Sequence, residues 1–168
     1  TNAKVYTATE LGVLNNAVVV VNDGVITSVT SSENAAALTV DNVIDAQGGV
    51  VTPGFIASMN ALGLVEVSAV ADSRDSHHKK ADITFDPSYA YNPKSSSIAY
   101  TRKGGITRNV VTGAGGEDIF AGQAFLVDLS GAWDSVKQSN IAVYVKLGAN
   151  SDGSRAAYIQ ELVTKLEK

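Results

Sequence analysis

Asp23-Gly24 lies between two short runs rich in valine, isoleucine and threonine, residues 17–21 and 25–30. A two-residue hairpin loop of the I′ type needs positive φ at both central positions, which this pair tolerates. The dipeptide therefore predicts an antiparallel hairpin. Two further β-branched stretches bounded by turn formers, residues 4–7 and 42–45, read as strands of the same small β unit, which takes up residues 1–52.

A second apolar run, residues 50–57, is broken by Pro53-Gly54. Proline cannot donate to a ladder, so the chain is expected to leave one sheet near Thr52, turn, and enter a buried strand. Residues 72–97 are polar, contain two prolines and show little periodicity, which reads as a long surface loop. Beyond it the pattern predicts a short helix over 96–103 and a strand over 106–112. A glycine-rich loop over 113–122 and a strand over 123–129 follow. Ala156, Ile159, Leu162, Val163 and Leu166 fall at helical spacing and predict an amphipathic helix over 155–168.

Composition narrows the function classes. With 45% hydrophobic and 18% charged residues the chain lies within the globular range. A net charge of −4 with scattered lysines and arginines offers no footprint for nucleic acid, which requires clustered cations. The absence of cysteine removes disulfides, thiolate zinc sites and a cysteine nucleophile. No apolar run approaches the roughly 20 residues that span a bilayer, so no membrane span is expected. The first residue is threonine, which reads as the removal or omission of a leader, a tag or a longer N-terminus. Localisation stays open on this reading: a soluble chain, periplasmic or secreted if a leader was removed.

The hairpin, then Val43-Ile44-Asp45-Ala46, then Val51-Thr52-Pro53-Gly54-Phe55-Ile56, resembles the opening of metal-dependent amidohydrolases, in particular the imidazolonepropionase-like group. Arg102-Lys103-Gly104-Gly105-Ile106-Thr107, Phe120-Ala121-Gly122-Gln123-Ala124 and residues 144–155 extend the resemblance along the chain. It implies a mixed α/β protein: a small β-sandwich-like unit (1–52), then an incomplete (β/α) barrel segment (53–168) with the long loop 72–97 and the C-terminal helix 155–168. In that family the Pro-Gly-Phe-Ile run introduces the first barrel strand, and the next residues normally read Asp-x-His-x-His. Two histidines at i and i+2 of a strand share a face and can ligate one metal, which activates water.

Here Ala57 stands in the acid's place, and Met59 and Ala61 occupy the two ligand positions. The family's later ligands, a carboxylated lysine or further histidines and an aspartate, would lie beyond Lys168. The resemblance thus implies a relative of enzymes that use zinc or another divalent metal to hydrolyse C–N bonds of cyclic amides or peptides. This chain itself is expected to be inactive, with no catalytic residue, no metal ligand and no cofactor. A barrel takes about 250 residues, so the segment is expected to cover its open edges by homo-oligomerisation. Two alternatives stand beside this reading: a non-catalytic oligomeric binding or assembly module, and one part of a split metal-dependent hydrolase. The sequence names no substrate, small molecule or peptide.

Other residue types that carry chemistry elsewhere have plain readings here. His77 and His78 are adjacent, so in extended chain they point apart and chelate poorly; they read as a solvated pair, with Asp72, Asp75 and Asp82 nearby at no demanding spacing. Gly113-Ala114-Gly115-Gly116 could cradle an anion, but it lacks the lysine and hydroxyl of a phosphate loop and reads as a tight bend. Ser58 and Ser130 have no marked histidine partner. Met59 reads as a packed core residue of its strand. Glu66 follows that strand as an acid does in related enzymes, and reads as a salt bridge or solvent contact.

Overall fold

A computed structural model describes residues 1–35, 39–147 and 154–167. The chain falls into two compact units, Thr1–Pro53 and Gly54–Lys168. The first is one four-stranded sheet built from β1 (Ala3–Tyr6), β2 (Val13–Asn22), β3 (Val25–Ser31) and β4 (Val50–Val51), in the order β3-β2-β1-β4. Strands β2 and β3 form the hairpin closed by Asp23 at φ +48° and Gly24 at φ +78°, with Asn22 paired to Val25. Alternation places Ala3 and Val5 of β1 inward against Ala17, while Lys4 and Tyr6 face water.

Residues 42–45, expected as a strand, are not one. The Thr1 ammonium donates to the Ile44 carbonyl at 2.7 Å, and the Ala46 amide donates to the Thr1 carbonyl at 2.9 Å. Those bonds tie the segment to the chain start without building a ladder. The free edge of β1 is taken instead by β4, parallel, with Lys4 opposite Val50 and Val5 opposite Val51.

The second unit holds β5 (Phe55–Asn60), α1 (Ser96–Lys103), β6 (Ile106–Thr112), β7 (Phe120–Asp128), β8 (Val136–Val145) and α2 (Arg155–Leu166). Its sheet runs β5-β6-β7-β8. Leu64, Ile98, Val111, Phe125, Val127 and Leu129 form the core, and α1 contributes only Ile98 to it. The glycine of Pro53-Gly54 has a steric reason: a Cβ on Gly54 would fall 2.1 Å from Thr107 Oγ1. That close approach lets the Phe55 amide reach the Gly105 carbonyl at 2.9 Å and begin the β5–β6 ladder.

The sheet shows no partial (β/α) barrel. Only β5 and β6 are parallel, joined through α1; β6–β7 and β7–β8 are antiparallel. The connections explain this, because 113–119 and 129–135 have seven residues each and a parallel crossover needs about a dozen or more. Strand β7 also begins earlier than its sequence pattern, so Phe120 to Gly122 is strand rather than loop. Gly122 lies at φ +105° beside a register shift, where a Cβ would meet the Phe85 carbonyl at 2.5 Å.

Nor is β5 buried as expected. It is the edge strand of its sheet, with Phe55 and Ile56 exposed. The polar stretch 72–97, in turn, does not run over the surface throughout: Ser76, Ala81, Pro87 and Ser95 are buried. It is tied to β7 by the Gln123 amide on the Phe85 carbonyl at 2.7 Å, and to the 113–119 connection by the Ala114 amide on the Ser76 carbonyl at 2.6 Å.

Candidate functional site

The C-terminal end of β5 is where the resemblance implies a metal site. Ser58 pairs with Val110 and Asn60 with Val111, so Met59 is an extra residue bulged out of the ladder. Its φ of +57° is unusual for a residue with a side chain. The bulge resets the alternation of the strand. Met59 turns to solvent, 67% exposed, and does not pack in the core. Asn60 turns inward in its place, and Ala61 is half-buried against the Leu64 and Phe125 cluster. The shared face expected of positions 59 and 61 holds only for a regular strand, and this strand is not regular there.

What closes the end of β5 and β6 is a pair of carboxamides. Asn60 Nδ2 donates to Asn109 Oδ1 at 2.9 Å, and Asn109 Nδ2 donates back to Asn60 Oδ1 at 2.8 Å. The Leu62 amide donates to Asn60 Oδ1 as well, at 3.1 Å. Asn109 is fully buried, so the exchange satisfies an amide that would otherwise be stranded. An exposed thioether, a methyl group and two mutually bonded carboxamides do not make the nitrogen and oxygen donor set that zinc takes. Among the described residues, no three or more His, Asp or Glu side chains gather closely enough to hold a metal ion.

The remaining candidates are dispersed. His77 is bridged through its backbone to Gly115, and the His78 ring stacks on Phe85 at 6.2 Å between centroids. Asp82 accepts from the Thr84 hydroxyl and amide, which hold its carboxyl below the usual range. Glu66 accepts from Asn92 Nδ2 at 3.0 Å. In the glycine segment, the Ala114 and Glu117 amides donate to the Ser76 and Lys79 carbonyls. Its glycines serve close packing: a Cβ on Gly116 would lie 2.2 Å from the His78 carbonyl, and one on Gly115 2.6 Å from Ala121 Cα. Ser58 is exposed on β5.

Two features had no counterpart in the sequence reading. Ser130 Oγ donates to Asp128 Oδ1 at 2.5 Å, and Lys137 Nζ lies 2.9 Å from Asp128 Oδ2. Burial alone would raise the Asp128 carboxyl, but the Ser130 and Lys137 bonds outweigh it and bring it to about 2. Asp-Leu-Ser ahead of a glycine was the available signal, since such side chains bond the backbone two residues on. The second feature is Tyr91. Its hydroxyl is buried without a hydrogen-bond partner among the described residues, and burial, with the nearby Asp128 charge, pushes it up to about 12. Neither feature forms a nucleophile with a base, because a serine bonded to an ionised carboxylate has no imidazole to take its proton.

In the first unit a hollow of about 780 Å³ lies against β2, lined by Ala17, Val19, Val21, Val43 and Ile44 among others. Among the described residues, Thr1 and Asp41 are the ionisable groups in its lining. No helix among the described residues is long and apolar enough to cross a membrane.

Neither a family model nor a curated protein matches the chain. Among solved structures, an amidohydrolase from Thermotoga maritima MSB8 is similar, with a TM-score of 0.65 over 99% of this chain at 17% sequence identity. The chain spans 46% of that protein's length. The likeness shows an amidohydrolase-like fold, mixed α/β with two four-stranded sheets.

Proposed function

We propose that the chain is an amidohydrolase-related protein that does not itself hydrolyse C–N bonds. The observation that carries this reading is the end of β5: the Met59 bulge, with the Asn60–Asn109 pair in place of ligands. A hydrolytic metal needs an open coordination position held by several protein donors, and these residues supply none of imidazole or carboxylate type. The similarity to the Thermotoga maritima amidohydrolase supports the relationship at the level of fold. No reaction step follows from the residues at this end of the sheet.

A second reading, that the chain is an assembly module or one part of a split hydrolase, is favoured by the free edge of β5. Phe55, Ile56 and Met59 are exposed there, and the strand carries no charged residue of the kind that normally blunts an edge.

One experiment addresses both readings: metal content by plasma mass spectrometry on the single species eluting from size exclusion, with light scattering for its mass and lactam and dipeptide hydrolysis assayed on the same fraction. A metal-free, inactive species supports the first reading, and a homogeneous oligomer adds support to the second. Stoichiometric metal with turnover overturns the first.

A further inference from the structure

Helix α2 is attached to its unit in an unusual way for an element of twelve residues: it has no fully buried side chain. Tyr158, Leu162 and Lys165, spaced at i, i+4 and i+7, are half-buried on one face. Ile159, Val163 and Leu166, offset by one, are exposed. The close tie is Lys165. Its ammonium lies 2.5 Å from Asp118 Oδ2 and 5.8 Å from the centre of the Phe120 ring. Glu161, one turn back, is 3.4 Å from the same nitrogen. Asp118 divides its oxygens, because Oδ1 accepts from the Phe120 amide at 2.8 Å and organises the start of β7 while Oδ2 takes the lysine. Lys79, Asp82, Glu117 and Glu161 line the same open cleft of about 400 Å³.

Apolar burial resists dissociation regardless of salt, whereas an ion pair with both partners about a quarter to a third exposed is screened as salt is added. A released helix of this length is marginal in water and unravels. We propose that α2 is a strap fastened by the Lys165–Asp118 pair, able to leave the β7 rim while β5 to β8 stay folded, with ionic strength setting the balance between docked and free.

Hydrogen exchange followed by mass spectrometry on the full chain tests this, at about 0.05 M and about 1 M NaCl. Amides of α2 are expected to exchange about threefold faster at high salt, the scale of a partly exposed ion pair, while those of β6 and β7 do not change. Lys165→Met should exchange in α2 at the fast rate at both salt concentrations. Asp118→Asn, which keeps an oxygen for the Phe120 amide, should do the same and guards against a folding defect specific to the first variant. Salt-independent exchange in α2 of the unmodified chain overturns the proposal. So does a salt response that survives in both variants, or opening of β7 in step with α2.

Discussion

Asn60 and Asn109 exchange two amide hydrogen bonds across the parallel pair β5–β6, and the Asn109 partner is wholly buried. The pair is where the second unit ties its edge strand to its core by polar rather than apolar contact. Because each amide satisfies the other, the energetics are asymmetric: losing one partner is worse than losing both.

Asn109→Ala should therefore lower stability by about 1–3 kcal/mol, whereas the double change Asn60→Leu with Asn109→Leu should be milder than the sum of the two single ones. Urea denaturation of Asn109→Ala, the two single leucine variants and the double variant checks this. Additive losses would mean that the amides do not depend on each other.

Met59 sits at φ +57° with an exposed side chain, so Met59→Gly should leave stability unchanged or raise it by up to about 1 kcal/mol. Met59→Val, β-branched and poorly suited to that backbone, should lower it by about 1–3 kcal/mol. A melting temperature below that of the unmodified chain for Met59→Val, and one at or above it for Met59→Gly, is the expected result.

The Asp128 carboxyl is held at about 2, below its ordinary 3.8, so it favours the folded state while ionised. Its contribution is complete above the unfolded value and drains away as pH falls from 3.8 toward about 2. Acid denaturation monitored by circular dichroism should accordingly show a shallower loss of stability through that window in Asp128→Asn than in the unmodified chain. Parallel curves would place the acid sensitivity elsewhere.

Purified protein should retain less than about a tenth of an equivalent of zinc, and Met59→His with Ala61→His should restore neither tight metal binding nor hydrolysis. The bulge turns position 59 out to solvent while 61 stays against the core, so the two new imidazoles would not face a common point. Stoichiometric zinc in the double variant would contradict this.

What the sequence revealed, and what it hid, follows the range of the forces involved. The Asp23-Gly24 hairpin and α1 depend on neighbours a few residues apart, and β6 carries a β-branched run, so their patterns were legible. Strand β8 was not, because its first half, Val-Lys-Gln-Ser-Asn, is mostly polar and takes its shape from pairing with β7. The antiparallel direction of β7 was obscured for another reason: a resemblance carried by Pro-Gly-Phe-Ile implied parallel strands throughout, while the short connections argued the other way. At the end of β5 the residue types were read as poor metal donors, yet the bulge was invisible, since methionine gives no hint of positive φ. The Lys165–Asp118 contact joins residues 47 positions apart and has no local pattern at all.

Tyr91 couples the stability of the second unit to alkaline pH. Its hydroxyl is buried without a hydrogen-bond partner among the described residues, and burial, with the nearby Asp128 charge, raises it to about 12 while the fold is intact. Opening the unit returns that phenol to its ordinary 10, so base draws the equilibrium toward the open chain. In phenolate absorbance, ionisation of this residue would report loss of the fold rather than mere exposure to hydroxide.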